Sequence, residues 1–511
     1  MTIRKMLLLL FSGLFMVSII LSGCTNREDE VKKISAPKPL TDPIKTDAGY
    51  ISGTLIGDVD NPVRAYRGIP YAAPPVGDLR WKPPQPVSPW NEIRQCTEFS
   101  KVCPQLSMSG FPPPPMDEDC LYLNIMTPAR TEGETLPVMV WLHGGGYSYG
   151  SGNDAMTNLH RLPQHGVVLV NVTMRINTFG LFAHPLLTAE SPDKSSGNYM
   201  FFDIIAALKW VQRNISQFGG NPENVTLFGE SGGGAKVSTL MASPLARGLF
   251  HRAICESGTS VGGFSMGKDL DELEKTGIEL FARLGVDKAY DPLEAARKLP
   301  FEKILEARDA MIKEGGKKMR YAMDDSAVGG RFLPETPEEL FKAGEHNAVP
   351  LITMATQGEI TGTTGLLLPQ LIPAYTSMLE YNTRAGSIGY ASIFDHVPRK
   401  WKAAGAVASH AMEVLYLFGD YDNRSGVWPV MYSLIKGPEE KGSNDPGLTE
   451  TDRKISEAMM KMWTQFARTG NPNVEGIAEW PPYSKEDDMY MYVSDPLEIK
   501  KGFSKIKPGE K

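Results

Sequence analysis

The segment Asn224-Val225-Thr226-Leu227-Phe228-Gly229-Glu230-Ser231-Gly232-Gly233 restricts the fold more than any other part of the chain. A short apolar run with strand character ends in Gly-Glu-Ser-Gly-Gly, and Gly234 to Met241 continues at once with helical character. A strand that enters a helix through one tight turn exposes the side chain at the turn. It also aims the unpaired N–H groups of the helix N-terminus at the same spot. A serine placed there can act as a nucleophile while charge develops beside it. Gly-x-Ser-x-Gly alone selects nothing, because in a chain with 50 glycines it occurs four times, at Ser148, Ser231, Ser260 and Ser265. Ser148 lies in a Gly/Ser/Tyr loop with no helix behind it, and Ser260 and Ser265 lie several residues beyond their strand. Only Ser231 joins a strand directly to a helix.

Strand and helix patterns alternate around this segment. Strands are expected at Val63–Gly68, Leu121–Met126, Pro137–His143, Val167–Thr173, Val225–Gly229, Ala253–Glu256, Pro350–Ala355 and Ser387–Phe394. Helices are expected at Phe201–Phe218, Gly232–Ala242, Asp269–Leu284, Leu293–Leu299, Glu302–Lys313, Pro337–Ala343, Ala403–Phe418 and Asp452–Arg468. Several of the strands are apolar throughout, as strands covered on both faces must be. The alternation predicts an α/β protein with a mostly parallel central sheet and helices on both faces. Its functional groups should sit in loops at the carboxyl ends of the strands. The formal net charge of −7 and the lack of a basic stripe argue against nucleic-acid binding.

The N-terminus has a different character. Arg4 and Lys5 precede an almost wholly apolar run, Leu7 to Leu21, and Leu21-Ser22-Gly23-Cys24 follows. This is a secretory signal in outline and too short for a confident spanning helix. Its ending is similar to the lipobox of bacterial lipoproteins, which implies a signal peptide over 1–23, lipidation of Cys24 and membrane anchoring outside the cytoplasm. Residues 24–45 read as a flexible tether, and 46–505 as the catalytic body. The other cysteines, Cys96, Cys103, Cys120 and Cys255, lack metal-ligand spacing, and a secreted chain could pair them.

A serine hydroxyl needs a histidine to take its proton and a carboxylate to hold that histidine. In the chain order Ser, acid, His, the candidates are few. Glu359 is the first carboxylate after the apolar run Pro350–Ala355. Of the eight histidines, His396, at the end of its strand, and His410, beside a helical run, both remain possible bases. Upstream, the run Leu136–Leu142 ends in His143-Gly144-Gly145-Gly146-Tyr147. Such a loop can turn its amides toward one point, so Gly145, Gly146 and Gly232 are the expected oxyanion donors.

Three longer segments carry a family resemblance. Phe218 to Gly233, Glu118-Asp119-Cys120-Leu121-Tyr122-Leu123-Asn124-Ile125, and Gly68-Ile69-Pro70-Tyr71-Ala72 with Pro74-Pro75-Val76-Gly77 resemble, in order, signatures of the type-B carboxylesterases, which include the cholinesterases. The resemblance runs from about Gly49 to about Tyr492 and implies the α/β-hydrolase fold. It implies a serine carboxylic ester hydrolase acting on small-molecule esters through an acyl-enzyme, with no metal or organic cofactor. It assigns Ser231, Glu359 and His410 as the triad and His396 as a strand-end residue. Glu230 and Ser257 become supporting polar residues, Cys103–Cys120 a disulfide worth about 3 kcal/mol, and Arg80–Glu118 and Arg175–Asp203 structural ion pairs. Cys96 and Cys255 resemble spare or buried thiols.

The departures from the family pattern also matter. The acid's flanks read Gly358-Glu359-Ile360, where the family motif ends Asp-Glu-Gly. Gly110 to Met116 holds no tryptophan to bind a quaternary ammonium, so choline esters are not expected. The short segment between Glu359 and His410 implies a more open cleft. The same triad could cleave carbamates, amides or thioesters, and a non-catalytic binding relative would have lost it.

Overall fold

A computed structural model describes residues 38–106, 115–157, 159–262, 267–361, 370–429, 431 and 445–507. The proposed signal peptide, Cys24 and Ser265 lie outside the described residues. Among the described residues, eleven strands make the central sheet. They are β1 (Thr54–Asp58), β2 (Asn61–Pro70), β3 (Tyr122–Thr127), β4 (Leu136–Leu142), β5 (Val168–Val172), β6 (Gly220–Glu230), β7 (Arg252–Glu256), β8 (Leu351–Thr356), β9 (Gly389–Phe394), β10 (Met489–Val493) and β11 (Glu498–Lys501). Their spatial order is β11-β10-β9-β8-β7-β6-β4-β5-β3-β2-β1. From β10 across to β5 every pairing is parallel. Antiparallel strands close both edges.

The apolar strands lie in the middle because both of their faces are covered. Along β4, Val138, Val140 and Leu142 join one core cluster, and Met139 and Trp141 join the other. Helix α1 (Tyr199–Asn214) packs into the first. Helix α7 (Glu450–Thr469) supplies Met459, Trp463 and Phe466 to the second. Each such side chain stabilises by about 1.5–3 kcal/mol, so helices cover both faces of the sheet because the central strands are largely apolar on both. The Thr449–Asp452 capping box starts α7, and Gly470, at φ 79°, ends it.

Register brings the functional loops together. Leu142 is level with Gly229, Glu230 with Glu256, Glu256 with Met354, and Thr356 with Phe394. The Gly144–Gly146 loop, Ser231, Ser257 and Glu359 therefore leave the sheet at one end.

Several expectations need correction. Pro39 bridges to Thr131, and Ile44–Lys45 pairs with Tyr50–Ile51, so residues 39–45 belong to the folded body rather than to the tether expected over 24–45. Ala403–Phe418 is not one helix. A short helix ends at Ala403 and α6 (Met412–Leu417) begins after a loop in which Gly405 (φ 76°) and Ala411 (φ 65°) take left-handed backbone. The helix expected to stop at Lys313 runs on as α4 (Phe301–Met323), with a break in helical geometry at Gly316 (φ 62°). Cys96, Cys103, Cys120 and Cys255 are all buried thiols, so the Cys103–Cys120 disulfide is not formed. The two thiols are neighbours, and burial, followed by contact with Cys103, pushes the Cys120 thiol well up. No helix among the described residues is long and apolar enough to cross a membrane.

Candidate active site

Ser231 joins β6 to helix α2 (Gly232–Ala242) with φ 57° and ψ −123°. A serine costs about 1–3 kcal/mol in such a conformation, which survives only where the surroundings impose it. They do so here: the Ser231 N–H donates to the Glu256 carbonyl at 2.8 Å, and its carbonyl accepts from the Ala235 N–H at 3.1 Å. The turn also needs glycine neighbours. A Cβ on Gly233 would lie 2.0 Å from the Leu142 carbonyl oxygen, and one on Gly258 would lie 1.9 Å from the Ser231 carbonyl oxygen.

The glycine loop after β4 lies against this turn. A Cβ on Gly144 would come 3.4 Å from Ser231 Cβ, and one on Gly232 would come 2.6 Å from the Gly146 nitrogen. Gly145 (φ 86°) and Gly146 (φ 55°) have backbone that disfavours any side chain. The Gly145 carbonyl accepts from the Ser148 and Tyr149 N–H groups at 3.0 and 3.1 Å, while neither the Gly145 nor the Gly146 N–H has a partner among the described residues. Gly232, at the start of α2, carries an N–H that its own helix leaves unpaired.

Glu359 and His410 come together, as the family resemblance implies. Glu359 is fully buried just beyond β8, and its Oε1 is hydrogen-bonded to His410 Nδ1. Its Oε2 accepts from the Thr356 N–H at 3.3 Å. The Gly358 N–H donates to the Ala408 carbonyl at 2.8 Å, which ties the histidine loop to the acid. His410 Nε2 lies 3.1 Å from Glu230 Oε1. The Ser231 hydroxyl makes no hydrogen bond among the described residues, so the direct Ser231–His410 bond is not formed in this arrangement. The two residues share Glu230 as a neighbour, whose Oε2 would be 2.9 Å from a Cβ on Gly144.

The other candidates have structural partners. His396 Nε2 is 3.0 Å from Oδ1 of Asp452, the carboxylate that caps α7. Ser148 Oγ donates to Asp324, and Ser260 Oγ is 2.9 Å from Ser238 Oγ. Arg80 pairs with Glu118 and Arg175 with Asp203, as expected. Ser257 Oγ donates to Glu413 Oε1 at 2.8 Å rather than to the histidine.

A cluster of buried carboxylates surrounds the imidazole. Burial pushes Glu230 up to about 7 and Glu256 to about 8, and it pushes Glu413 well above its ordinary value. Burial pulls His410 down, but the Glu230 and then the Glu359 charges outweigh it and raise it to about 10. Glu256, Glu413 and Lys236 were not singled out from sequence. Lys236 had a visible signal, as the one charged residue in Gly232–Ala242. It is fully buried, donates to the His143 carbonyl at 2.9 Å, and is lowered to about 7 by burial.

The carboxylesterase family model matches residues 41–376 and 370–507. The chain belongs to the carboxylesterase family. Carboxylesterase 1C of Mus musculus is 31% identical over 502 residues, spanning 87% of this chain and 88% of that protein. Para-nitrobenzyl esterase of Bacillus subtilis (strain 168) is 31% identical over 499 residues, spanning 89% and 95%. A solved PNB esterase superposes with a TM-score of 0.74 at 27% identity, covering 91% of this chain and 97% of its own. A thermophilic PNB esterase gives 0.75 at the same identity. This carboxylesterase is therefore an α/β-hydrolase and a carboxylic ester hydrolase of the serine type, acting on small-molecule esters.

Proposed function

We propose that Ser231, His410 and Glu359 form the catalytic triad, with Gly145, Gly146 and Gly232 as the oxyanion hole. His410 Nε2 takes the Ser231 proton as Oγ attacks the ester carbonyl. The imidazolium so formed is held by Glu359 on Nδ1, and it then protonates the leaving alcohol. Water repeats the sequence on the acyl-enzyme. The observation that carries this reading is the buried Glu359 bonded to His410 Nδ1 at the sheet end where the strained Ser231 turn meets two unpaired glycine amides. Losing one such donor costs about 2.7–4 kcal/mol in the transition state. Ser231 and His410 are both partly exposed, which supports an open cleft.

A fluorophosphonate should label Ser231 in the native chain and not in Ser231→Ala, and turnover of a 4-nitrophenyl ester should fall by about 10⁶-fold. Labelling elsewhere with activity retained in Ser231→Ala would overturn the assignment. The same proposal extends to location, with Cys24 as the lipidated residue anchoring the enzyme to a bacterial membrane. Cys24→Ala should then abolish incorporation of labelled fatty acid, and incorporation that persists would refute the anchor.

A further inference from the structure

Arg320 is a guanidinium held at the proposed oxyanion turn with no carboxylate partner among the described residues. It lies in the last part of α4, beyond the break at Gly316. A Cβ on Gly146 would be 3.3 Å from its NH2, so its head abuts the proposed oxyanion loop. Its Nε donates to Ser148 Oγ at 3.3 Å, and its Cζ lies 5.3 Å from the centre of the Tyr149 ring. Ser148 is fully buried and is itself fixed by Asp324. The orientation of Arg320 is therefore set by a rigid neighbour rather than by a loose surface contact.

The charges around it are already assigned. Asp324 is paired with the buried Arg308. Asp325 accepts the N–H groups of Gly267 and Ser326. No carboxylate among the described residues is within ion-pair distance of Arg320, although Arg80, Arg161, Arg175, Arg297 and Arg308 each have one. Gly146 is exposed and Arg320 half-buried, so the turn that the NH2 group abuts is open to solvent and to a bound ester.

We propose that Arg320 is a specificity-determining residue that selects esters carrying a carboxylate on the acyl or the alcohol part. The inference rests on the assignment of Ser231 and the oxyanion glycines. A planar fork with two unpaired N–H edges matches a carboxylate. A charge-assisted hydrogen bond of this kind is worth about 10- to 100-fold in kcat/KM. It sits beside the site of attack without touching the reacting atoms, so neutral esters remain substrates.

Two pairs, each differing in whether a remote carboxyl is free or capped as its methyl ester, test it on the full chain. Mono-4-nitrophenyl adipate is compared with its methyl ester for the acyl side, and 4-acetoxybenzoate with methyl 4-acetoxybenzoate for the alcohol side. The native enzyme should favour the anionic member of at least one pair by about tenfold or more, less so at high salt. Arg320→Gln should erase that ratio by lowering kcat/KM for the anionic member, and Arg320→Glu should reverse it. A role confined to holding Ser148 and Tyr149 would change both members alike and leave the ratio intact. Equal kcat/KM within both pairs, with neutral esters turned over normally, overturns the Arg320 inference and leaves the triad standing. Failure to turn over any ester overturns the triad and this inference with it.

Discussion

His410 Nε2 lies 3.1 Å from Oε1 of Glu230, the residue immediately before Ser231. The contact places a second carboxylate on the nitrogen that takes the serine proton in the proposed triad. A neighbouring negative charge favours imidazolium, and His410 is raised to about 10, with burial opposing and Glu230 and Glu359 prevailing. The base form is the one that works, so a raised value delays activity to higher pH. Glu230→Gln should shift the rising limb of kcat/KM against pH downward by about one unit. Glu359→Gln removes the partner that sets the tautomer and should lower kcat by about 10⁴-fold. If the two variants lose activity equally with no shift of the limb, Glu230 does not act through the histidine.

What the sequence made legible was local. The strand, turn and helix around Ser231 are contiguous, and every apolar strand predicted in the centre of the sheet forms there. Glu359 was legible because chain order leaves few carboxylates after β8. The residues alone left His396 and His410 both open and only the family resemblance chose His410, since which imidazole meets Glu359 depends on how the loop after β9 folds back. There Gly405 and Ala411 interrupt a run that reads as continuous helix. Glu256 and Glu413 escaped notice because a buried glutamate looks like a solvated one until the sheet register and α7 enclose it. Arg320 reaches the oxyanion turn only because α4 runs past Lys313 and breaks at Gly316. The Cys103–Cys120 expectation was right about proximity and wrong about the bond.

Lys236 links α2 to both ends of the glycine loop. Its ammonium donates to the His143 carbonyl at 2.9 Å and lies 5.2 Å from the centre of the Tyr147 ring. Lys236→Met keeps the volume and removes the tether. Small displacements of a positioned group cost rate heavily, so kcat should fall about tenfold with KM little changed. Stability should change by no more than about 1–3 kcal/mol, because the lost bond and the relieved burial of a charge oppose one another. An unchanged kcat would mean that the loop holds its shape without the ammonium.

Glu256 offers a test on stability rather than rate. It is fully buried, its Oε1 accepts from the Trp463 Nε1–H at 2.6 Å, and burial raises it to about 8 from an ordinary 4.5. A raised carboxyl binds its proton more tightly in the folded chain than in the unfolded one. Its contribution to stability is thus fully present below about 4.5 and is lost as pH rises through about 8. Glu256→Gln keeps an oxygen for Trp463 and cannot ionise. The melting temperature of the native chain should fall relative to the variant between pH 5 and pH 9, by at least about 2 °C. Titrating groups away from the cluster are common to both proteins and cancel in the difference, whereas Glu230 and Glu413, which share its charge, contribute to it. Parallel curves across that range would show that Glu256 stays ionised throughout, and that the carboxylate cluster beneath the histidine is better solvated than its burial requires.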